Sequence, residues 1–145
     1  MKTFLTIRVL DELLGILSRS LPAYLADAKP WTTAETPNKN QKQCAALGHL
    51  AADQQRYAQR VAHAIAELGG RPDPGRFPIE FTAKNDLALE YLCQEVIHRQ
   101  ERDVLAVEHC TAQLEKTASL HALAEEILGN AKGHLEILKE MMNDE

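Results

Sequence analysis

Three prolines close together exclude a helix from the middle of this chain. Pro72, Pro74 and Pro78 fall within the stretch GRPDPGRFPIEFTAK at 70–84. Proline lacks a backbone N–H and favours extended conformations. An extended segment of this length reaches about 45–50 Å, which exceeds the roughly 42 Å of a helix of about 28 residues. We therefore expect this segment to run the length of a helical bundle and to join two parallel helices.

Apolar residues at three- and four-residue spacing predict two helices before this segment. The first covers 6–28, with a kink expected at Pro22 because the ring and the missing N–H disturb the preceding turn. The second covers 41–68 and ends at the glycine pair 69–70. The polar stretch WTTAETPNKN at 31–40 has no periodicity and is predicted to be a loop.

Two more helices are predicted after the proline-rich segment. The third begins near Asn85, a suitable N-cap, and ends near Leu114, and the fourth covers 119–142. Four amphipathic helices with one long crossover between the second and the third form a recognised bundle topology. The pattern therefore predicts a single all-α domain, a four-helix bundle over residues 1–145.

Charge and cysteine content exclude several classes of function. The net charge is -5 and no basic stripe is present, so we expect no nucleic-acid partner. Arg8 and Asp11 interrupt the N-terminal apolar residues, so neither a signal peptide nor a membrane span is predicted. The three cysteines have no metal-site spacing and are predicted to be buried free thiols, which suits a cytoplasmic protein.

Short motifs in each helix show a resemblance to a known family. They are LLG at 13–15, RVAHAIAELGGRP at 60–72, DLALE at 86–90, and IL at 127–128 with GH at 133–134. In this order they resemble the bacterioferritin branch of the ferritin-like superfamily. The resemblance implies a ferritin-like four-helix bundle with a long crossover between helices 2 and 3. In that family two glutamates and two Glu-x-x-His pairs hold a di-iron centre that oxidises Fe(II).

The resemblance keeps only part of that ligand set. The ligand positions carried over onto this chain are Leu17 in the first helix, Gln54 and Tyr57 in the second, Glu90 in the third, and Ala131 and His134 in the fourth. The residue corresponding to the family's haem-binding methionine is Gln55. The resemblance therefore implies a degenerate di-iron site, in which Glu90 and His134 remain and haem is not held.

Two functions from different classes follow from this partial set. The first is a non-catalytic binding or interaction module without a cofactor, in which Glu90, His134 and Tyr57 hydrogen-bond one another. The alternative is an iron-binding or iron-oxidising protein, in which Glu90 and His134 hold iron or another single metal ion with help from Gln54 or Asn130. The Glu95–His98 spacing is predicted to be an exposed pair rather than a site.

The resemblance also bears on assembly. Ferritin-like proteins commonly pair through their first two helices, so we expect a homodimer. The sequence ends at MMNDE without the short fifth helix of ferritin cages, so a small oligomer is expected rather than a cage. A DNA-protecting role is disfavoured by the acidic net charge.

Overall fold

Helices account for most of the chain. The computed structural model describes residues 2–28, 37–81 and 89–143, and within these ranges the chain is helical without any strand. The helices are α1 Lys2–Ser18, α2 Leu21–Ala28, α3 Pro37–Glu67, α4 Leu89–Gln113 and α5 Ala118–Asn143. Since α1 and α2 together take the place of the first predicted helix, the predicted all-α bundle with a long crossover is confirmed.

The first predicted helix is broken in two instead of being kinked. Ser20 separates α1 from α2 and caps the second piece, because its Oγ accepts a 3.1 Å hydrogen bond from the N–H of Ala23. Pro22 lies in the first turn of α2, where a missing N–H leaves no helical hydrogen bond unmade. The last turn of α1 stays intact, with the N–H of Arg19 bonded to the carbonyl of Gly15 at 3.0 Å.

The ends of α3 follow common capping rules. The helix begins at Pro37, inside the segment predicted to be a loop, because proline is well suited to the first position of a helix. It ends at Glu67, where Gly69 adopts a φ of 87° and the N–H of Gly70 bonds back to the carbonyl of Ile65 at 2.9 Å. The rest of the predicted loop and the predicted N-cap Asn85 lie outside the described residues.

Two apolar clusters fill the bundle, one toward each end. The first combines α1 with the later half of α3, the later half of α4 and the early half of α5, through Leu13, Val61, Val107 and Ile127. The second combines α2 with the early halves of α3 and α4 and the end of α5, through Leu25, Leu50, Leu92 and Leu138. These memberships require α3 and α4 to be parallel, and α5 to be antiparallel to α4.

The crossover between α3 and α4 connects the two ends of the bundle. Gly70 lies against Ile7 near the start of α1, whereas Phe81 is buried in the second cluster. Between them only the residues 79–81 form a helical turn. The extended, full-length connection predicted from the prolines is therefore the one that the structure has.

The remaining general features agree with the composition. Cys93 and Cys110 are buried, Cys44 is half-buried, and none of the three forms a disulfide bond with a described residue. Among the helices in the described ranges, none combines the length and the apolar character that crossing a bilayer demands.

Candidate functional site

A layer of polar side chains lies inside the bundle, between the two apolar clusters. We call Gln54, Gln100, Asp103 and Asn130 the polar layer. They line a cavity of about 10 Å³ together with apolar neighbours that include Leu17. A space of this size holds about one water molecule at most. Four of the positions that the resemblance carries over as ligands line this cavity, namely Leu17, Gln54, Tyr57 and Ala131.

Gln54 is tied to the break between α1 and α2. Its side chain is 5% exposed, and its Oε1 atom accepts a 2.6 Å hydrogen bond from the hydroxyl of Ser20. Because Ser20 also caps α2, one buried serine connects the capping of that helix to the polar layer on α3.

The residues that α4 contributes are less completely bonded. Gln100 is 2% exposed, and its Nε2 donates a 3.3 Å hydrogen bond to the carbonyl of Ala131 on α5. Its Oε1 atom is buried and has no partner among the described residues. One turn later, burial raises the pKa of Asp103 from 3.8 to about 6, although the charges of Arg102 and Arg99 oppose that rise. The two α4 residues of the layer are therefore both destabilised by burial. Gln100 has an amide oxygen without a partner, and the charged form of Asp103 is disfavoured.

His134 belongs to a separate cluster at the edge of the layer. Its Nε2 donates to Oδ2 of Asp53 at 2.7 Å, and the same oxygen accepts from Nδ2 of Asn130 at 2.8 Å. Burial tends to raise the pKa of Asp53, but these two hydrogen bonds and the charges of His134 and Arg56 outweigh it and lower that pKa. An ionised Asp53 thus joins α3 to α5 through two donors.

Tyr57 lines the same cavity, but its hydroxyl bonds outside the polar layer. Its hydroxyl donates a 2.8 Å hydrogen bond to Oε2 of Glu126, which also accepts from Arg60 at 2.8 Å. Burial and the neighbouring Glu126 carboxylate raise the pKa of the tyrosine. The ring is buried in the first apolar cluster, whereas the hydroxyl bonds the carboxylate of the exposed Arg60–Glu126 ion pair.

With this geometry established, comparison with known proteins identifies the fold. No protein-family model matches the chain, and no curated protein matches its sequence. A crystal structure of a ferritin-like, diiron-carboxylate protein from Bacillus anthracis strain Ames superposes with a TM-score of 0.77 over 98% of each chain, at 17% identity. The fold is ferritin-like. At this identity the likeness concerns the fold and not the chemistry of the site.

Within the ferritin-like bundle, the described polar side chains at the predicted ligand positions bond other residues. Gln54 bonds Ser20, Tyr57 bonds Glu126, and His134 bonds Asp53. The expected hydrogen bond between His134 and Tyr57 is therefore wrong. The physical reason is that Tyr57 and His134 each find a carboxylate at the surface of the bundle.

Glu90 stands apart from the polar layer along the chain. It is the second residue of α4, and its side chain lies outside the described residues. Gln100 follows ten positions later in the same helix, which corresponds to about 15 Å along the axis. Glu95, the first member of the other predicted pair, bonds Nε of Arg99 at 3.1 Å, while His98 is exposed.

Sequence reasoning missed Asp53, Gln100 and Asp103. The α4 residues that face the core of the ferritin-like bundle include Leu92, Val96, Gln100, Asp103, Val107 and Cys110, at spacings of three and four. Two polar residues within that stripe were a signal that the layer would be built there. Asp53 gave no comparable signal, because an aspartate beside two glutamines reads as solvated surface.

The donor set of the layer does not fit a di-iron centre. Such a centre uses glutamates from all four helices and two histidines. Here the layer supplies three amides, from Gln54, Gln100 and Asn130, and one carboxylate, from Asp103. They surround a space too small for metal ions and their ligands. Among the described side chains, no group of three His, Cys, Asp or Glu residues could hold a metal ion.

Proposed function

We propose that this protein is a non-catalytic ferritin-like bundle that acts as a binding or interaction module. The observation that carries the proposal is the polar layer, where three amides and one carboxylate stand in the interior of the bundle and a di-iron site would need several carboxylates. Gln54 and Gln100 are neutral, and each forms one hydrogen bond within the protein, to Ser20 and to the carbonyl of Ala131. Such hydrogen bonds help to specify how the helices pair.

Charge supports this proposal. Two ferrous ions carry four positive charges, and in a low-dielectric interior that charge requires several carboxylates. The layer offers Asp103, whose pKa is already raised by burial to about 6. Asp53, the other nearby carboxylate, is engaged by Asn130 and His134.

The second candidate function is iron handling by Glu90 and His134 with other ligands. His134 lies beside Asp53 in a pocket of about 310 Å³ that His49 also lines, so this region has room for an ion. Binding there would require the 2.7 Å hydrogen bond between His134 and Asp53 to open. This need for rearrangement makes iron handling the second choice.

Metal analysis and Fe(II) oxidation separate the two functions. Protein purified without chelator is expected to contain well under one iron per chain and to oxidise Fe(II) no faster than buffer. Glu90→Ala and His134→Ala are compared with His63→Ala, whose side chain is 76% exposed at the surface. Stoichiometric iron that Glu90→Ala or His134→Ala abolishes, and His63→Ala retains, would overturn the proposal in favour of iron handling.

Assembly and location complete the proposal. We propose a cytoplasmic homodimer, which the ferritin-like fold and cysteines without a disulfide bond to a described residue support. Light scattering during size-exclusion chromatography is expected to return the mass of two chains of 16.2 kDa. A mass near that of a ferritin cage would contradict this part of the proposal alone.

A further inference from the structure

Four arginines surround one pocket on the side of the bundle. The pocket has a volume of about 260 Å³ and lies where the junction of α1 and α2, the crossover and α4 meet. The arginines come from these three segments and are Arg19, Arg76, Arg99 and Arg102. The chain as a whole has a net charge of -5, so this concentration of cations runs against the overall balance.

Arg99 forms a fixed wall of the pocket. Its Nε lies 3.1 Å from Oε1 of Glu95, its Nη2 lies 3.4 Å from Oε1 of Glu80, and its guanidinium carbon is 4.9 Å from the centre of the Phe81 ring. The Arg99 side chain is only 19% exposed. Two carboxylates therefore offset its charge, and the ring orients its guanidinium group.

The other three arginines are not neutralised in this way. Arg19, Arg76 and Arg102 are exposed, and none of them forms an ion pair with a described residue. By contrast, Arg56 and Arg60 on α3 each reach a carboxylate, at 3.2 Å and 2.8 Å. Asp103 lines the pocket as well. Burial raises its pKa to about 6, so it is largely ionised at neutral pH and offsets one of these three charges.

Two glycines make room for Arg19. A Cβ atom at Gly15 would collide with Nη2 of Arg19, and one at Gly75 would lie 2.9 Å from its Cδ. Gly75 has a φ of 74°, and its N–H donates a 3.0 Å hydrogen bond to Oδ1 of Asp73. The crossover therefore makes a local tight turn over the Arg19 side chain. The turn places Arg76 at the same pocket.

We propose that this pocket binds a small phosphate monoester. Guanidinium groups suit phosphate oxygens because they donate in a planar fork. Arg19, Arg76 and Arg102 line this pocket without an ion pair to a described residue, and Asp103 offsets only part of their charge. Ile16, Pro78 and Phe81 add an apolar wall for the organic part of the ester. This site rests on the binding role proposed above and gives that role a ligand class. Its test measures phosphate-ester binding and involves no metal. A negative result here therefore leaves the test of the proposed function, which measures iron, unaffected.

Calorimetric titration with glycerol 3-phosphate tests the site. We expect saturable binding to the full-length protein at low salt, with inorganic phosphate weaker and glycerol inert. Arg19→Gln and Arg102→Gln are each expected to raise the Kd by about tenfold or more. Arg8→Gln is the matched control, because it removes the same charge from an exposed position outside the pocket and should leave the Kd within about twofold.

Two variants probe the pocket without removing an arginine. Gly15→Ala should weaken binding because its methyl group displaces the guanidinium end of Arg19. Asp103→Asn should tighten binding because it removes a negative charge from the lining. Circular dichroism is used to check that each variant keeps the helical content of the parent.

Three results would overturn the proposal. The first is the absence of saturable binding by glycerol 3-phosphate. The second is a loss of affinity in Arg8→Gln equal to that in Arg19→Gln. This would indicate that the ester is attracted by the overall charge of the protein and not by the pocket. The third is equal affinity for inorganic phosphate and for the ester, which would assign the pocket to free phosphate.

Discussion

The hydroxyl of Ser20 donates a 2.6 Å hydrogen bond to Oε1 of Gln54. This contact links Ser20, where the first helical segment breaks, to Gln54 of the polar layer. The same serine oxygen accepts a hydrogen bond from the N–H of Ala23. One hydroxyl therefore acts as the acceptor that caps α2 and as the donor to Gln54. The junction of α1 and α2 is therefore anchored to α3 rather than being a loose hinge.

Replacing Ser20 with alanine should destabilise the protein. The variant loses the N-cap of α2 and leaves the Gln54 oxygen buried without a donor, so the free energy of unfolding should fall by about 1–3 kcal/mol. Urea unfolding followed by circular dichroism measures the change. Ser119→Ala, at an exposed position on α5, is the control and should change stability by less than about 0.5 kcal/mol.

Placing a carboxylate at position 54 should make stability depend on pH. Gln54 is 5% exposed, so Gln54→Glu should lower the free energy of unfolding by about 2–4 kcal/mol at pH 8. Burial raises the pKa of the new group, so the penalty should shrink as the pH falls toward 5 and the glutamate becomes protonated. Gln55→Glu, on the exposed neighbour, should show neither effect. Equal stability of the two variants at pH 8 would show that position 54 is hydrated.

Removing the charge of Asp103 should stabilise the protein near neutral pH. Its pKa rises from 3.8 to about 6 on folding, so the folded state holds the proton more tightly than the unfolded chain. Ionisation therefore removes stability as the pH rises from about 4 to about 6, and the deficit is complete above that range. Asp103→Asn should raise the free energy of unfolding by about 1–3 kcal/mol at pH 7.5 and change it little at pH 4.

Glu115→Gln provides the matched control for that experiment. It removes the same charge at an exposed position between α4 and α5. Its stability should follow that of the parent protein across the same pH range. If Asp103→Asn also follows the parent at every pH, Asp103 is solvated in the native state.

The Asp53 cluster should respond to pH in the opposite direction. Hydrogen bonds from Asn130 and His134 outweigh burial and lower the pKa of Asp53, so this cluster stabilises the folded state above pH 3.8 and loses that effect as the pH falls through the folded-state value. His134→Ala should lower the free energy of unfolding by about 1–2 kcal/mol at pH 7. A double-mutant cycle with Asp53→Ala measures the coupling, and a coupling near zero would contradict the contact.

The bundle was predictable from the sequence because its signals are local. The prolines at 72, 74 and 78 exclude a helix, and the segment 70–84 that contains them is long enough to run the length of the bundle. Gly69 and Gly70 mark the end of α3 correctly, apart from one residue. Helix breaking at Ser20 was harder to predict, because it depends on a tertiary contact with Gln54 as well as on Pro22.

The candidate sites were less predictable because they depend on which helix faces meet. His134 was singled out by resemblance, but its partner Asp53 lies 81 positions away along the chain and gives no local signal. The arginine pocket combines residues of α1, the crossover and α4 that share no spacing. The position of Gln100 and Asp103 in the apolar stripe of α4 was the one cue that a closer reading of periodicity could have used.

The crossover has a consequence for how the chain is made. It divides the protein into two helical hairpins, with α3 packed on α1 and α2, and with α5 packed on α4. At about 5–20 residues per second, a ribosome releases the first hairpin several seconds before the second. During that interval Leu13, Leu50 and Val61 have no α4 or α5 to cover them. The newborn chain is therefore most prone to aggregation when it is half synthesised, and its need for chaperone protection should peak there.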